Sequence, residues 1–116
     1  MNRKKVRENP NVLLICVDQM RYDTAGCYGN EICQTPNIDK LAADGLKFNK
    51  AYTTAPLCTP ARASLFTGLY AFKHGMGTNC DMYHSLASEL KDPEQLLHYR
   101  LQSKGYQCGY VGKWHV

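Results

Sequence analysis

Residues 11–17, N-V-L-L-I-C-V, form a continuous apolar run, partly β-branched, that stops abruptly at Asp18-Gln19-Met20-Arg21. A run with no polar alternation reads as a strand buried on both faces, the pattern of a parallel sheet covered by helices. This one segment steers the chain toward an α/β fold. In open α/β sheets, ligand sites collect beyond the carboxyl ends of the strands, so Asp18 is placed for chemistry.

The rest of the chain continues the alternation. Thr35-Pro36 opens a helix, with Thr as N-cap and Pro at the first helical position, and Gly45 stops it. Ile38, Leu41 and Ala42 are its expected apolar face. Residues 46–53 alternate well enough for a second strand. Thr59-Pro60 repeats the helix-start chemistry, and the spacing predicts a helix from Pro60 to about Leu69. Asp92-Pro93-Glu94-Gln95 is a third start signal, in which Gln95 closes a capping box. Leu96, Leu97, Tyr99 and Leu101 are its expected inner face, and Gly105 its stop. Residues 107–111 read as a third strand, with Gly112-Lys113-Trp114-His115 turning off its end. The expectation is a mostly parallel sheet flanked by helices. Its third strand stands at the last residues of the sequence, so residues 11–116 read as the N-terminal portion of a larger, here incomplete, domain.

A chain of 116 residues suits one domain. The net charge of +4 comes partly from Arg3, Lys4, Lys5 and Arg7 in a basic tail over residues 1–10. No aromatic-interleaved basic patch follows it, which argues against nucleic acid as a partner. The apolar run after the tail is too short for a secretory signal, and no stretch approaches membrane-spanning length. A cytoplasmic location without membrane attachment is therefore expected, with the six cysteines reduced. They contain no C-x-x-C pair, which argues against structural zinc. Cys16 and Cys108 are expected to be small buried hydrophobes, and Arg21 with Asp23 a surface ion pair.

The most chemical segment is Cys58 to Gly68, C-T-P-A-R-A-S-L-F-T-G. With Thr59 as N-cap, Cys58 lies just before the first turn, where backbone N–H groups and the helix dipole favour an anion. Arg62 adds a fixed cation one turn on. A sulfur nucleophile, or a group made from it, beside a cation at a helix start suits a sulfate or phosphate ester.

This segment resembles the sulfatase signature of the alkaline-phosphatase-like superfamily, through Cys58, Pro60, Ala61, Arg62, Thr67 and Gly68. Phe66 departs from it, standing where an aliphatic residue is usual. The strand ending in Asp18, the T-P-N-I-D-K-L-A-A-D-G helix and G-K-W-H at residues 112–115 are similar to family features in the same order, so the resemblance covers roughly residues 11–116. It implies an alkaline-phosphatase-like fold and a sulfuric ester hydrolase acting on a small-molecule or carbohydrate sulfate. It further implies that a maturation enzyme, as a partner, oxidises Cys58 to formylglycine, an aldehyde whose hydrate attacks sulfur with one oxygen and expels sulfate with the other.

By the same resemblance Arg62 braces that hydrate, Lys113 contacts the sulfate, and His115 hydrogen-bonds the hydrate and takes its proton. Asp18 and the modified Cys58 side chain fall at metal-ligand positions for calcium or magnesium. The Asp18-Gln19 pair looks like the branch that includes choline sulfatases and phosphonate monoester hydrolases, so a phosphonate or phosphate ester hydrolase is the alternative. A second alternative is a catalytically inactive fragment, whose unfinished sheet edge invites pairing with another chain into an oligomer.

Overall fold

The computed structural model describes residues 9–83, 89–90 and 96–116. The basic residues of the tail up to Arg7 and the Asp92–Gln95 capping box lie outside the described residues. The chain divides into two compact units, Met1–Asn49 and Lys50–Val116.

In the first unit, helix α1 spans Pro36–Asp44, with Thr35 at the N-cap and Pro36 at the first position, as the sequence predicts. The Thr35 hydroxyl does not cap its own helix. It accepts the Gly26 N–H at 2.8 Å and donates to Asp39 Oδ1 at 3.0 Å, while Asp39 Oδ1 also accepts the Cys27 N–H at 2.6 Å. These bonds tie two short 3₁₀ turns, Tyr22–Thr24 and Gly26–Tyr28, to the start of α1. Gly26 is required there, because a Cβ would stand 2.6 Å from Asp39 Oδ2. Asn30 closes the loop, its amide donating to the Asp23 carbonyl and its oxygen accepting the Ile32 and Cys33 N–H groups. Arg21 and Asp23 form the expected surface ion pair.

In the second unit, α2 spans Cys58–Thr67, α3 Ala71–His74 and α4 Leu97–Gln102. The core gathers on α2: Thr59, Pro60, Arg62, Ala63 and Phe66 are buried, with His74, Met76 and Leu96 around them. The Thr-Gly that ends the signature has a mechanical explanation. Thr67 Oγ1 bonds back to the Ala63 carbonyl and accepts the Leu69 N–H, and Gly68 leaves the helix at φ +72° with its N–H on the Ser64 carbonyl. Gly supplies that left-handed conformation without Cβ strain. Gly105 ends the α4 region similarly, at φ +84° with the Tyr106 N–H reaching the Leu101 carbonyl.

Several expectations are not met among the described residues. Among the described residues there is no β-strand: residues 11–17, 46–53 and 107–111 run without a ladder. A strand is defined by its ladder to a neighbouring strand, and none of these three runs carries one among the described residues. The same apolar character that predicts burial consequently leaves Leu13 84% exposed, with Val12, Ile15, Val17, Phe48 and Val111 also exposed. Cys16 and Cys108 are exposed free thiols, because the strands that were to bury them are unpaired. Ile38 and Leu41 are exposed on α1 for want of a covering layer, and of the four residues expected to face inward from α4 only Leu96 is buried. No helix among the described residues is long and apolar enough to cross a membrane.

Candidate active site

Helix α2 begins two residues earlier than the sequence predicts, at Cys58, with Leu57 in the extended N-cap position. Thr59 is therefore inside the first turn rather than capping it, and its hydroxyl is released for another contact. It donates to the His115 carbonyl at 2.8 Å and accepts the Cys80 N–H at 3.3 Å. The start of α2 is also less open to an anion than its sequence implies. The Thr59 N–H is taken by Asn79 Oδ1 at 3.0 Å, Pro60 has no N–H, and the Ala61 N–H returns to the Leu57 carbonyl at 2.9 Å. Positive charge at this end rests on side chains more than on the helix dipole.

Arg62 is 6% exposed. Its Nη1 donates to the Lys113 carbonyl at 2.6 Å and lies 3.5 Å from the Tyr110 hydroxyl, which itself donates to the Lys113 carbonyl. Two bonds, Arg62 to Lys113 and Thr59 to His115, thus fasten the Lys113–His115 turn along the first turn of α2. An aromatic cluster does the same on the apolar side. Trp114 stacks on Phe66 at 5.0 Å between ring centroids, and Tyr110 meets both rings edge-on. Phe66, the departure from the signature, is therefore a packing partner of Trp114.

Gly112, at φ +110°, makes the turn that delivers Lys113. His115 itself is left-handed at φ +55°. Its Nε2 lies 3.2 Å from Asp81 Oδ1, while its Nδ1 is buried without a hydrogen-bond partner among the described residues. The His115 hydrogen bond holds the Asp81 carboxyl below its ordinary value, helped by the backbone of Asp81, opposed by burial, and helped further by the charges of His115 and Lys113.

Four of the five sequence-predicted site residues, Cys58, Arg62, Lys113 and His115, thus belong to one assembly in the second unit. Asp18 belongs to the first unit, where the turn after it places Gln19 at φ +56°. Gln19 and His115 are the non-glycine residues with left-handed backbone among those described. Such outliers concentrate at functional sites. Among the described residues no three His, Cys, Asp or Glu side chains gather to hold a cation.

Sequence reasoning missed Asn79, Asp81 and Tyr110, which hold the two halves of the assembly together. The one available signal was the polar N-C-D step following the Gly75 and Gly77 turns. His74, which has no motif context, is buried behind the site. Its Nδ1 accepts the Met76 N–H at 3.1 Å and its Nε2 lies 3.0 Å from Ser64 Oγ. Burial lowers its pKa, opposed by a hydrogen bond to the Pro60 carbonyl.

The sulfatase family model matches residues 10–116, nearly the whole chain. The chain belongs to the sulfatase family. Sulfatases similar to it include human arylsulfatase D, 40% identical over 110 residues that make up 91% of this chain and 18% of that protein. The uncharacterized sulfatase YidJ of Escherichia coli is 41% identical, over 94% of this chain and 20% of its own length. Human N-acetylgalactosamine-6-sulfatase is 39% identical, over 92% and 22%. This sulfatase chain therefore spans about a fifth of the length of the curated relatives it matches. No solved structure matches it.

Proposed function

We propose that this chain carries the nucleophile helix and the Lys-Trp-His turn of a sulfuric ester hydrolase. The observation that carries the reading is the pair of bonds from Arg62 to the Lys113 carbonyl and from Thr59 to the His115 carbonyl. They tie the first turn of α2, which carries Cys58 and Arg62, to the Lys113–His115 turn some fifty residues on, which supports a shared role for these four residues.

Conversion of Cys58 to formylglycine by a maturation enzyme would supply, as its hydrate, an oxygen nucleophile with a built-in route for releasing sulfate. Cys58 suits that conversion, being half-buried at the first position of α2 and unpaired in any disulfide. The Arg62 guanidinium, fixed by its bonds to the turn, offsets negative charge beside residue 58. Lys113 is exposed and presents an ammonium to the anionic head of the ester. His115 offers a buried ring nitrogen to hold a proton.

Asp18, at the end of the first apolar run, would give one carboxylate oxygen to calcium or magnesium. The described residues alone do not make a full coordination shell, so no step is drawn through the ion. The runs at 11–17, 46–53 and 107–111, apolar and unladdered, are proposed as neighbouring strands of the parallel sheet in the full-length enzyme.

Peptide mass analysis across Cys58 in protein from its native host tests the reading. The expected result is an aldehyde in place of the thiol, together with hydrolysis of an aryl sulfate by the full-length protein. An intact thiol in active protein would remove the formylglycine mechanism. The Asp18-Gln19 pair favours one rival, a phosphonate ester hydrolase, and a large preference for aryl phosphonate over aryl sulfate would establish it instead.

A further inference from the structure

The His115 imidazole is held between two different environments. Its Nε2 faces a carboxylate at 3.2 Å whose side chain is 70% exposed, whereas the His115 side chain is 16% exposed and its Nδ1 is wholly buried. A carboxylate accepts and does not donate, so the hydrogen between Asp81 and His115 resides on Nε2. The neutral ring then carries its lone pair on Nδ1, the nitrogen with no partner among the described residues. A buried nitrogen without a hydrogen bond costs stability, and that cost is explained if Nδ1 is reserved for a group that arrives with the reaction.

We propose that Asp81 is the positioning residue of this site: it selects the Nε2–H form of His115 and so makes Nδ1 the proton acceptor. The proposal rests on the sulfatase reading for its reaction, but the choice of ring nitrogen follows from the geometry alone. Three further observations support it. The backbone of His115 is fixed by Thr59, so the ring has a defined anchor. Its left-handed φ of +55° is an uncommon conformation for a non-glycine residue, of the kind that concentrates at functional sites. Asp81 also lies within the field of the Lys113 charge. In the step itself a proton leaves an O–H at the reacting centre and binds the Nδ1 lone pair. The Nε2 hydrogen stays where it is, and the resulting imidazolium is balanced by the Asp81 carboxylate. No other bond is made or broken at His115.

The experiment uses the full-length enzyme and four variants: Asp81→Asn, Asp81→Glu, His115→Ala and the double variant Asp81→Asn/His115→Ala. Removing a group that orients a catalytic side chain costs roughly 10- to 100-fold. Asp81→Asn is expected to lower kcat on an aryl sulfate by about that factor with KM unchanged. Asp81→Glu is expected to recover most of the loss, and Asp81→Asn is expected to add nothing once His115 is absent. Nitrogen-15 spectra of the histidine rings supply a readout independent of turnover: His115 should be the Nε2–H tautomer in the unsubstituted enzyme and a mixture in Asp81→Asn.

An unchanged kcat in Asp81→Asn, a loss confined to KM, or an equal loss in the His115→Ala background would overturn the proposal, as would an Nδ1–H ring in the unsubstituted enzyme. If Asp81→Asn does not fold, Asp81→Glu and the spectrum of the unsubstituted enzyme still decide it. Should the unsubstituted enzyme hydrolyse no sulfate ester, the sulfatase reading fails, and the tautomer measurement still reports on Asp81.

Discussion

Replacing Thr59 by Val tests whether the first turn of α2 is fastened to the Lys113–His115 turn by a single hydroxyl. Thr59 is fully buried. Its hydroxyl has one hydrogen, which goes to the His115 carbonyl at 2.8 Å rather than to Cys80 Sγ at 3.6 Å, and its oxygen accepts the Cys80 N–H at 3.3 Å. Valine keeps the shape and takes this partner from both backbone groups, which are part-buried. Each orphaned group costs about 1–1.5 kcal/mol, so the substitution should cost about 2–3 kcal/mol. Converted at 1.4 kcal/mol per decade, the Cys80 amide should exchange its hydrogen roughly 30- to 100-fold faster if it opens with this unit. At a urea slope of about 2 kcal/mol per molar, the midpoint should fall by about 1–1.5 M. Thr59→Ser is the control: it keeps the hydroxyl and loses one methyl, a change of about 1 kcal/mol. The reasoning is refuted if Ser destabilises as much as Val, or if Val leaves Cys80 exchange unchanged.

Phe66→Ala removes the ring stacked on Trp114 and should cost about 3–4 kcal/mol in urea unfolding, with Phe66→Leu losing less. Gly26→Ala sets a Cβ against the Asp39 carboxylate, which the Cys27 N–H holds in place, so thermal unfolding should show a loss of about 2 kcal/mol. His74 has its pKa lowered from 6.5 by burial, so the unfolded chain takes up the proton first as pH falls. Its contribution to stability should be complete above about pH 6.5 and decline below it, toward the folded-state value. Urea titrations should show that acid-side slope in the native protein and a shallower one in His74→Asn.

The signature residues were legible in the sequence because each has a strict local job. Gly68 and Gly112 take positive φ, Pro60 sits where a helix needs no N–H, and Thr67 closes the last turn. The start of α1 was equally readable from Thr35-Pro36. What escaped were the contacts between distant segments. Thr59 looks like an N-cap in any local window, and only the position of residue 115 turns its hydroxyl outward from that role. Asp81 carries no motif and becomes informative only beside His115. The apolar runs signalled strands through composition, but a strand's ladder is a property of its neighbours, and the composition of 11–17 does not name them.

The same distinction explains how the site is built. Cys58 and Arg62 are set by one helix, whose geometry follows from ten consecutive residues. Lys113 and His115 have no such scaffold of their own: residues 107–111 form no ladder, and Gly112 leaves the turn free to go elsewhere. Their placement therefore depends on groups that α2 lends them, the Arg62 guanidinium, the Thr59 hydroxyl and the Phe66 ring, with Asn79 and Asp81 bracing the other side. Arg62 in this arrangement serves two roles at once. A cation buried this deeply must be paired or hydrogen-bonded, and the Lys113 carbonyl meets that need while fixing the turn. Arg62→Lys keeps the charge but loses the guanidinium nitrogen, Nη1, that reaches both the Lys113 carbonyl and the Tyr110 hydroxyl. The consequence would be a displaced turn rather than a merely weaker cation, and the damage would be read at Lys113 and His115 as well as at residue 58.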